Sequence, residues 1–215
     1  MGTSNKSEAL DGYVKTLTAM SATDDAHAVY EAWAADYEND LVAGYGYNAH
    51  LLSAQALAEA CANRNARVLD LGCGTGLVGQ ALTEHGFNNI DGFDASEKML
   101  EQARPKGIYR QLMIGDIRAP NALTADSYDA AIAVGVFGGG HVGPGDLEYF
   151  VRPVRAGGAI VLYANGIPFV ADDYASHLRR LEQAGLWTVE RSERTNYMAK
   201  LDRPGYLVVA RRNGA

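Results

Sequence analysis

Residues 68–79, VLDLGCGTGLVG, constrain the fold of this chain more than any other stretch. A short apolar run carries Asp70, gives way to Gly72, Gly74 and Gly76, and leads directly into a helical pattern ending near His85. A strand, turn and helix in that order belong in a parallel α/β sheet, where such a turn sits at the carboxyl edge and ligands bind. Glycines there permit positive φ and let a ligand lie against bare backbone. A plain glycine-rich βα turn is the alternative, but it does not account for three alternating glycines behind a buried acid.

The rest of the chain keeps the same rhythm. Residues 66–71, 89–93, 108–114, 128–134 and 159–164 read as strands, and residues 76–85, 96–103 and 174–184 as helices. Upstream, Asp24 and Asp25 suit a helix start, and Val29, Trp33, Tyr37 and Leu41 recur every four residues until Gly44-Tyr45-Gly46-Tyr47 breaks the pattern. A second helix is expected over residues 48–62. Residues 186–195 and 206–211 read as two final strands joined by a turn at Asp202-Arg203-Pro204-Gly205. With no helix between them they should pair antiparallel. These patterns predict an α/β fold with a seven-stranded, mostly parallel sheet, an antiparallel last strand and helices on both faces. A tail and short helical cap (residues 1–50) precede the main body (51–215), the whole being one structural domain. At 215 residues and 47% apolar, the chain is long enough for one sizeable core. Its 24 glycines against 6 prolines point to tight turns rather than disorder.

Charge and cysteine content exclude several classes. A net charge of −7 disfavours a duplex-binding face, so no nucleic-acid partner is expected. No apolar run spans a bilayer, and the polar start MGTSNKSEAL lacks a signal-peptide pattern, so a soluble, cytoplasmic protein with no membrane partner is expected. Cys61 and Cys73 form no C-x-x-C or metal-ligand spacing, so neither a disulfide framework nor a metal site is expected. Oligomeric state is not legible.

Gly74-Thr75-Gly76-Leu77-Val78-Gly79 satisfies G-x-G-x-x-G, which could cradle a pyrophosphate at the helix start. Asp70 opposes that reading, since a carboxylate beside two phosphates is electrostatically unfavourable; it suits a ligand that brings positive charge. Asp94 ends the second strand and could accept both ribose hydroxyls. Its plainer role is to cap the following helix, though Ser96 is better placed for that. Asp116, after Gly115 at the end of the third strand, could accept a hydrogen bond from an adenine amino group, or be an ordinary strand-end acid.

The ordered motifs VLDLGCGTG, GFDASEKML, GDI, YDAAIAVGVF and VRAGG resemble the class I S-adenosylmethionine-dependent methyltransferases over about residues 30–211. The resemblance implies a Rossmann-like fold, S-adenosylmethionine as cofactor and S-adenosylhomocysteine as product. It places the methionine end at Asp70, Gly72, Cys73, Gly74 and Gly76, and the ribose at Asp94 with Ala95 beside it. Met99 and Ile117 then flank the adenine, with Gly115 and Asp116 at its amino group, and Gly135 and Val136 line the cofactor. The stretch YEAWAADYEND (30–40) resembles the N-terminal cap of small-molecule methyltransferases. GIYRQLMIGDI and VGVFGGGHV look like a methyltransferase-like group that includes a Williams–Beuren-region protein, a likeness that brings no acceptor with it.

On the acceptor side, the loop from Phe137 to Gly145 should overhang the transferred methyl group. His141 is its candidate base, with an ordinary loop histidine as the alternative. Tyr30, Trp33 and Tyr37 could close over the cofactor, with Tyr37 touching it, and Tyr45, Tyr47 and Phe137 could line the acceptor pocket; an aromatic stripe at helical spacing can equally be packing. Cys73 should fill a small slot in the turn, and His27, His50, His85 and His177 should be surface residues. Absence of a [DN]-P-P-[YF] motif after strand four lowers the odds of nucleobase or glutamine methylation and favours a small-molecule acceptor. Two competing functions stay open: a cofactor-binding protein that transfers no methyl group, and an NAD-dependent oxidoreductase.

Overall fold

The computed structural model describes residues 27–214 except 35, 37, 120, 121 and 138–141, and omits the side chains of His27, Tyr30, Glu31, Asn39 and Ala43. Its elements in chain order begin with α1 (His27–Trp33), a π-helical segment (Asn39–Tyr45) and α2 (Ala49–Ala60). There follow β1 (Val68–Leu71), α3 (Leu77–Glu84), β2 (Ile90–Asp94), α4 (Glu97–Ala103), β3 (Gln111–Ile114) and β4 (Tyr128–Val134). The chain ends with α5 (Glu148–Val151), β5 (Val154–Asn165), α6 (Gly166–Ala171), α7 (Tyr174–Gln183), β6 (Trp187–Asn196) and β7 (Pro204–Arg212).

Seven strands form one sheet in the order β3-β2-β1-β4-β5-β7-β6. The first five are parallel, and β7 lies antiparallel between β5 and β6. Every residue of β1 is buried, as an interior parallel strand requires, whereas both ends of edge strand β3 are exposed. Side chains alternate between two cores. Val68, Ile90, Ile132 and Val161 face Leu57 of α2 and Val78 and Leu82 of α3. Leu69, Leu71, Ala131, Ile160 and Leu162 face Phe150, Tyr174, Leu178 and Trp187.

A third, smaller cluster of Trp33, Leu41 and Met198 joins the helical cap to the β6–β7 connection. Main-chain bonds sew the same seam: Asn48 N–H to Tyr197 C=O, Ala199 N–H to Gly46 C=O, and Lys200 N–H to Tyr45 C=O.

Several boundaries differ from the sequence reading. The single cap helix is two pieces, and the second runs through Gly44 to stop at Gly46, whose φ of +67° makes a left-handed cap. Strand β5 starts five residues early, at Val154. Gly158 is not a turn residue but a point of close approach, since a Cβ there would lie 2.6 Å from the Asp129 carbonyl oxygen. Pro204 and Gly205 lie inside β7, so the connection falls at residues 197–203. No described helix is long and apolar enough to cross a membrane.

Candidate functional site

The sheet order reverses at β1, whose neighbours are β2 on one side and β4 on the other. The crevice at the carboxyl ends of these strands is where an open α/β sheet binds ligands. The β1–α3 turn fills it. Gly72, Gly74 and Gly76 have φ of +69°, +53° and +96°, a left-handed conformation that costs residues with a Cβ. Gly72 and Cys73 N–H groups both donate to the Phe93 carbonyl, at 2.7 and 3.1 Å. Gly72 is also crowded by Val136: a Cβ there would lie 1.9 Å from Val136 Cγ1. Around a Cβ at Gly74, by contrast, there is open space.

Asp94 closes the turn from the side. One carboxylate oxygen accepts the Gly74 N–H and the other the Ser96 N–H, each at 2.8 Å. The helix cap belongs to Ser96, whose hydroxyl accepts the Met99 N–H. Beneath the turn, Asp70 is fully buried. Its Oδ2 accepts the Tyr109 hydroxyl at 2.7 Å, and its Oδ1 has no partner among the described residues. Burial pushes its carboxyl up to about 7, opposed by the Tyr109 hydrogen bond and reinforced by the Asp94 charge. Thr75 is 3% exposed and its Oγ1 is likewise unpartnered. Burial, then the charges of Asp70 and Asp94, hold the Cys73 thiol well above its usual range. Cys73 packs where a Cβ on Gly92 would otherwise sit, 2.9 Å from its sulfur.

Two residues that matter here were not singled out from sequence as ligands. Tyr109, just ahead of β3, lies against the α3 start: a Cβ at Gly79 would fall 2.5 Å from its hydroxyl oxygen. The last glycine of G-x-G-x-x-G is therefore accounted for by Tyr109, which weakens the pyrophosphate reading. His50 was expected at the surface; it is 7% exposed, stacked on Tyr47 with ring centroids 5.5 Å apart. Its Nδ1 has no partner. Burial pushes its pKa down to about 4, with Glu38 opposing and Lys106 assisting the shift. Neither residue leaves a local signature, because each reaches the site through tertiary packing.

The remaining candidates divide. Gly135, φ +74°, follows β4, and the Tyr47 hydroxyl lies 3.6 Å from where its Cβ would be. Met99 is buried, Ile117 and Gly115 are partly buried, and Ala95 is exposed. Asp116 is half exposed and bound by the Arg118 guanidinium, with bonds of 2.8–3.2 Å that hold its carboxyl below the usual range. Phe137, expected to line the acceptor pocket, is 2% exposed and packs on Phe150 and Tyr174, 5.1 and 5.9 Å between centroids. It anchors the exit of β4 instead of offering a ring to an acceptor. Trp33 is likewise interior, donating its indole N–H to Asp40 at 2.8 Å. Tyr45 is partly buried beside it. Tyr37, His141 and the Tyr30 side chain lie outside the described residues. No group of His, Cys, Asp or Glu able to hold a metal occurs among the described residues.

The methyltransferase domain family matches residues 68–158, the segment that holds the turn, Asp94 and β4. Methyltransferase-like protein 27 of Homo sapiens is 33% identical over 165 residues, covering 74% of this chain and 66% of that protein. Residues 68–158 are thus a methyltransferase domain, and the fold of the chain is that of S-adenosylmethionine-dependent methyltransferases. A yeast (Saccharomyces cerevisiae) 18S rRNA (guanine(1575)-N(7))-methyltransferase is 37% identical over 67 residues, 31% of this chain and 24% of that one. The chain thus spans just under two thirds of the human relative and about a quarter of the yeast one. A methyltransferase of Haloferax volcanii, solved with the Trm112 methyltransferase activator, shares the fold with a TM-score of 0.66 at 17% identity. That match covers 86% of this chain and 98% of the other.

The cofactor of that domain family is S-adenosylmethionine, and the residues of this turn fit it. The cofactor carries an ammonium and a sulfonium, and the turn sets an acid with an unpartnered oxygen beneath bare backbone and a second acid at its rim. A phosphate-rich ligand would meet two carboxylates at this turn.

Proposed function

We propose that this methyltransferase transfers the methyl group of S-adenosylmethionine to a small-molecule acceptor. The observation that carries the reading is the turn from Gly72 to Gly76 held between Asp70 below and Asp94 at its rim. In this reading the turn takes the methionine end and Asp94 the ribose hydroxyls. Met99 and Ile117 flank the adenine, and Asp116 meets its amino group after sharing or releasing Arg118. Gly135 and Val136 line the opposite wall. Tyr47, with its hydroxyl near Gly135, marks the acceptor side, and His141 is the proposed base.

The cofactor supplies a methyl group on a positively charged sulfur, lost in one in-line displacement that leaves S-adenosylhomocysteine. The protein's share is alignment and exclusion of water. A base matters only where the acceptor must lose a proton.

A second reading rests on the 67 residues shared with the yeast rRNA enzyme: a nitrogen on RNA as acceptor, with an activator subunit like that of the Haloferax complex. The net charge of −7 counts against it, since RNA binding draws on basic surface.

Thermal shifts with S-adenosylmethionine, S-adenosylhomocysteine and NAD test the cofactor. Ligand at about 100 times its Kd adds about 2.7 kcal/mol, a rise of roughly 5–10 °C for a domain of this size. Shifts with both adenosyl ligands and none with NAD support the reading; a shift with NAD alone defeats it. Formation of S-adenosylhomocysteine is then followed with small-molecule extracts and with purified rRNA in parallel. Turnover with rRNA alone selects the second reading, and binding without turnover in either selects a cofactor-binding protein.

A further inference from the structure

Tyr109 comes from outside the glycine motif, yet three glycines are shaped around it. A Cβ would lie 3.3 Å from its ring at Gly76, 2.5 Å from its oxygen at Gly79 and 3.1 Å from its ring at Gly92. Its hydroxyl donates to Asp70 Oδ2 at 2.7 Å and also meets the Gly79 backbone. The bond occupies one carboxyl oxygen and leaves Oδ1, buried under the turn, without a partner among the described residues. A buried acid with one satisfied and one unsatisfied oxygen is costly unless a further partner completes it. We infer that Tyr109 is a positioning residue of the cofactor site, holding Asp70 so that its second oxygen serves the cationic end of the bound cofactor. This rests on the S-adenosylmethionine reading above and adds to it a residue outside the motifs.

The groups facing Asp70 are few. Tyr109 comes from the segment before β3, Asp94 from the end of β2 and Cys73 from the turn itself. A cation also lies along the turn: the Lys106 side chain passes Gly76 to bond Glu38 and Gln80, with buried His50 within reach of both charges. With burial holding the carboxyl near 7, Asp70 is substantially protonated below neutrality in the empty site. An incoming cation favours the carboxylate, so binding releases the Asp70 proton to solvent. Affinity therefore rises with pH up to about neutrality and then levels. Tyr109 donates to the charged form, so removing its hydroxyl moves the midpoint upward.

Calorimetric titration with S-adenosylhomocysteine from pH 5.5 to 8.5, in two buffers of different ionisation enthalpy, tests this. The probe carries the ammonium and cannot react. The wild-type affinity is expected to fall as much as tenfold per pH unit below the midpoint, with up to one proton released on binding near pH 6. Tyr109→Phe keeps the ring that the glycines enclose and shifts the profile to higher pH. Asp70→Asn abolishes the pH dependence, which separates it from any titration of the ligand. A wild-type profile that is flat and proton-free, or a Tyr109→Phe profile superimposable on the wild type, overturns the inference. Should Tyr109→Phe not fold, carboxyl ¹³C shifts of wild-type Asp70 decide: titration near neutrality when free and none when bound supports it, and identical titrations defeat it. No binding at any pH by folded protein defeats the cofactor reading itself, and this inference with it.

Discussion

Asp94 draws two backbone amides, Gly74 and Ser96, onto one carboxylate, so it sets the turn's shape besides the ribose role proposed for it. Charge-assisted hydrogen bonds are worth about 1.5–3 kcal/mol each. Asp94→Ala is therefore expected to weaken S-adenosylmethionine binding roughly 10- to 150-fold while the protein stays folded. Calorimetry checks it, and an unchanged Kd removes Asp94 from the ribose role. At this scale the glycine turn and Asp94 were legible because each stands at the end of an apolar strand run and just before a helix, although the bond between them spans 20 positions. Tyr109 and His50 were not. Tyr109 meets Asp70 across 39 positions, and His50 stacks on Tyr47, which itself packs on Tyr197, contacts that no local pattern encodes.

Among the elements, α4 begins where the Ser96 hydroxyl accepts the Met99 N–H at 3.2 Å. Replacing such a cap by alanine costs about 1 kcal/mol. Ser96→Ala should lower the melting point by roughly 2–4 °C for a chain of this length; no change in a thermal melt would assign the helix start to other contacts. Phe137, packed between Phe150 and Tyr174 at the end of β4, is worth more. Phe137→Ala should cost about 3–5 kcal/mol in denaturant unfolding, and a loss under 1 kcal/mol would return Phe137 to the acceptor wall. The interior strands were legible from continuous apolar runs bounded by glycine. Misjudged boundaries fell at Gly158 and Gly205, where glycine serves close approach instead of turning: a Cβ at Gly205 would lie 2.4 Å from the Tyr163 hydroxyl. Sequence shows the glycine but not which of its two freedoms the fold uses.

Across the whole molecule, two buried groups pull stability in opposite directions. Asp70 is raised from 3.8 to about 7, so between these values the folded state holds a proton that the unfolded state has lost, and stability falls as pH rises. His50 is lowered from 6.5 to about 4, so in that window the unfolded state holds the extra proton, and stability rises with pH. Each effect amounts to about 3–4 kcal/mol across its window, and between pH 4 and 6.5 they nearly cancel. Wild-type stability should vary little with pH there. His50→Gln should leave stability falling with pH, and Asp70→Asn should leave it rising. Urea unfolding at pH 4.5 and 6.5 reads both slopes, and parallel behaviour of the two variants would refute the pairing. The sheet and its order of elements were legible at this scale because a β-α rhythm admits few topologies.

The seam between the cap and the β6–β7 connection has a consequence for the order of assembly. Residues 45–48 rest on residues 197–200, far along the chain. Moreover β7, which follows β6 in sequence, slots between β5 and β6 instead of adding at an edge. Such long-range closure is slow relative to local structure. The glycine turn closes among residues 68–94, whereas residues 45–48 gain their partners only once residues 197–200 are in place. The cap therefore seats after the cradle has formed, and its docking sets the pace of the last folding step.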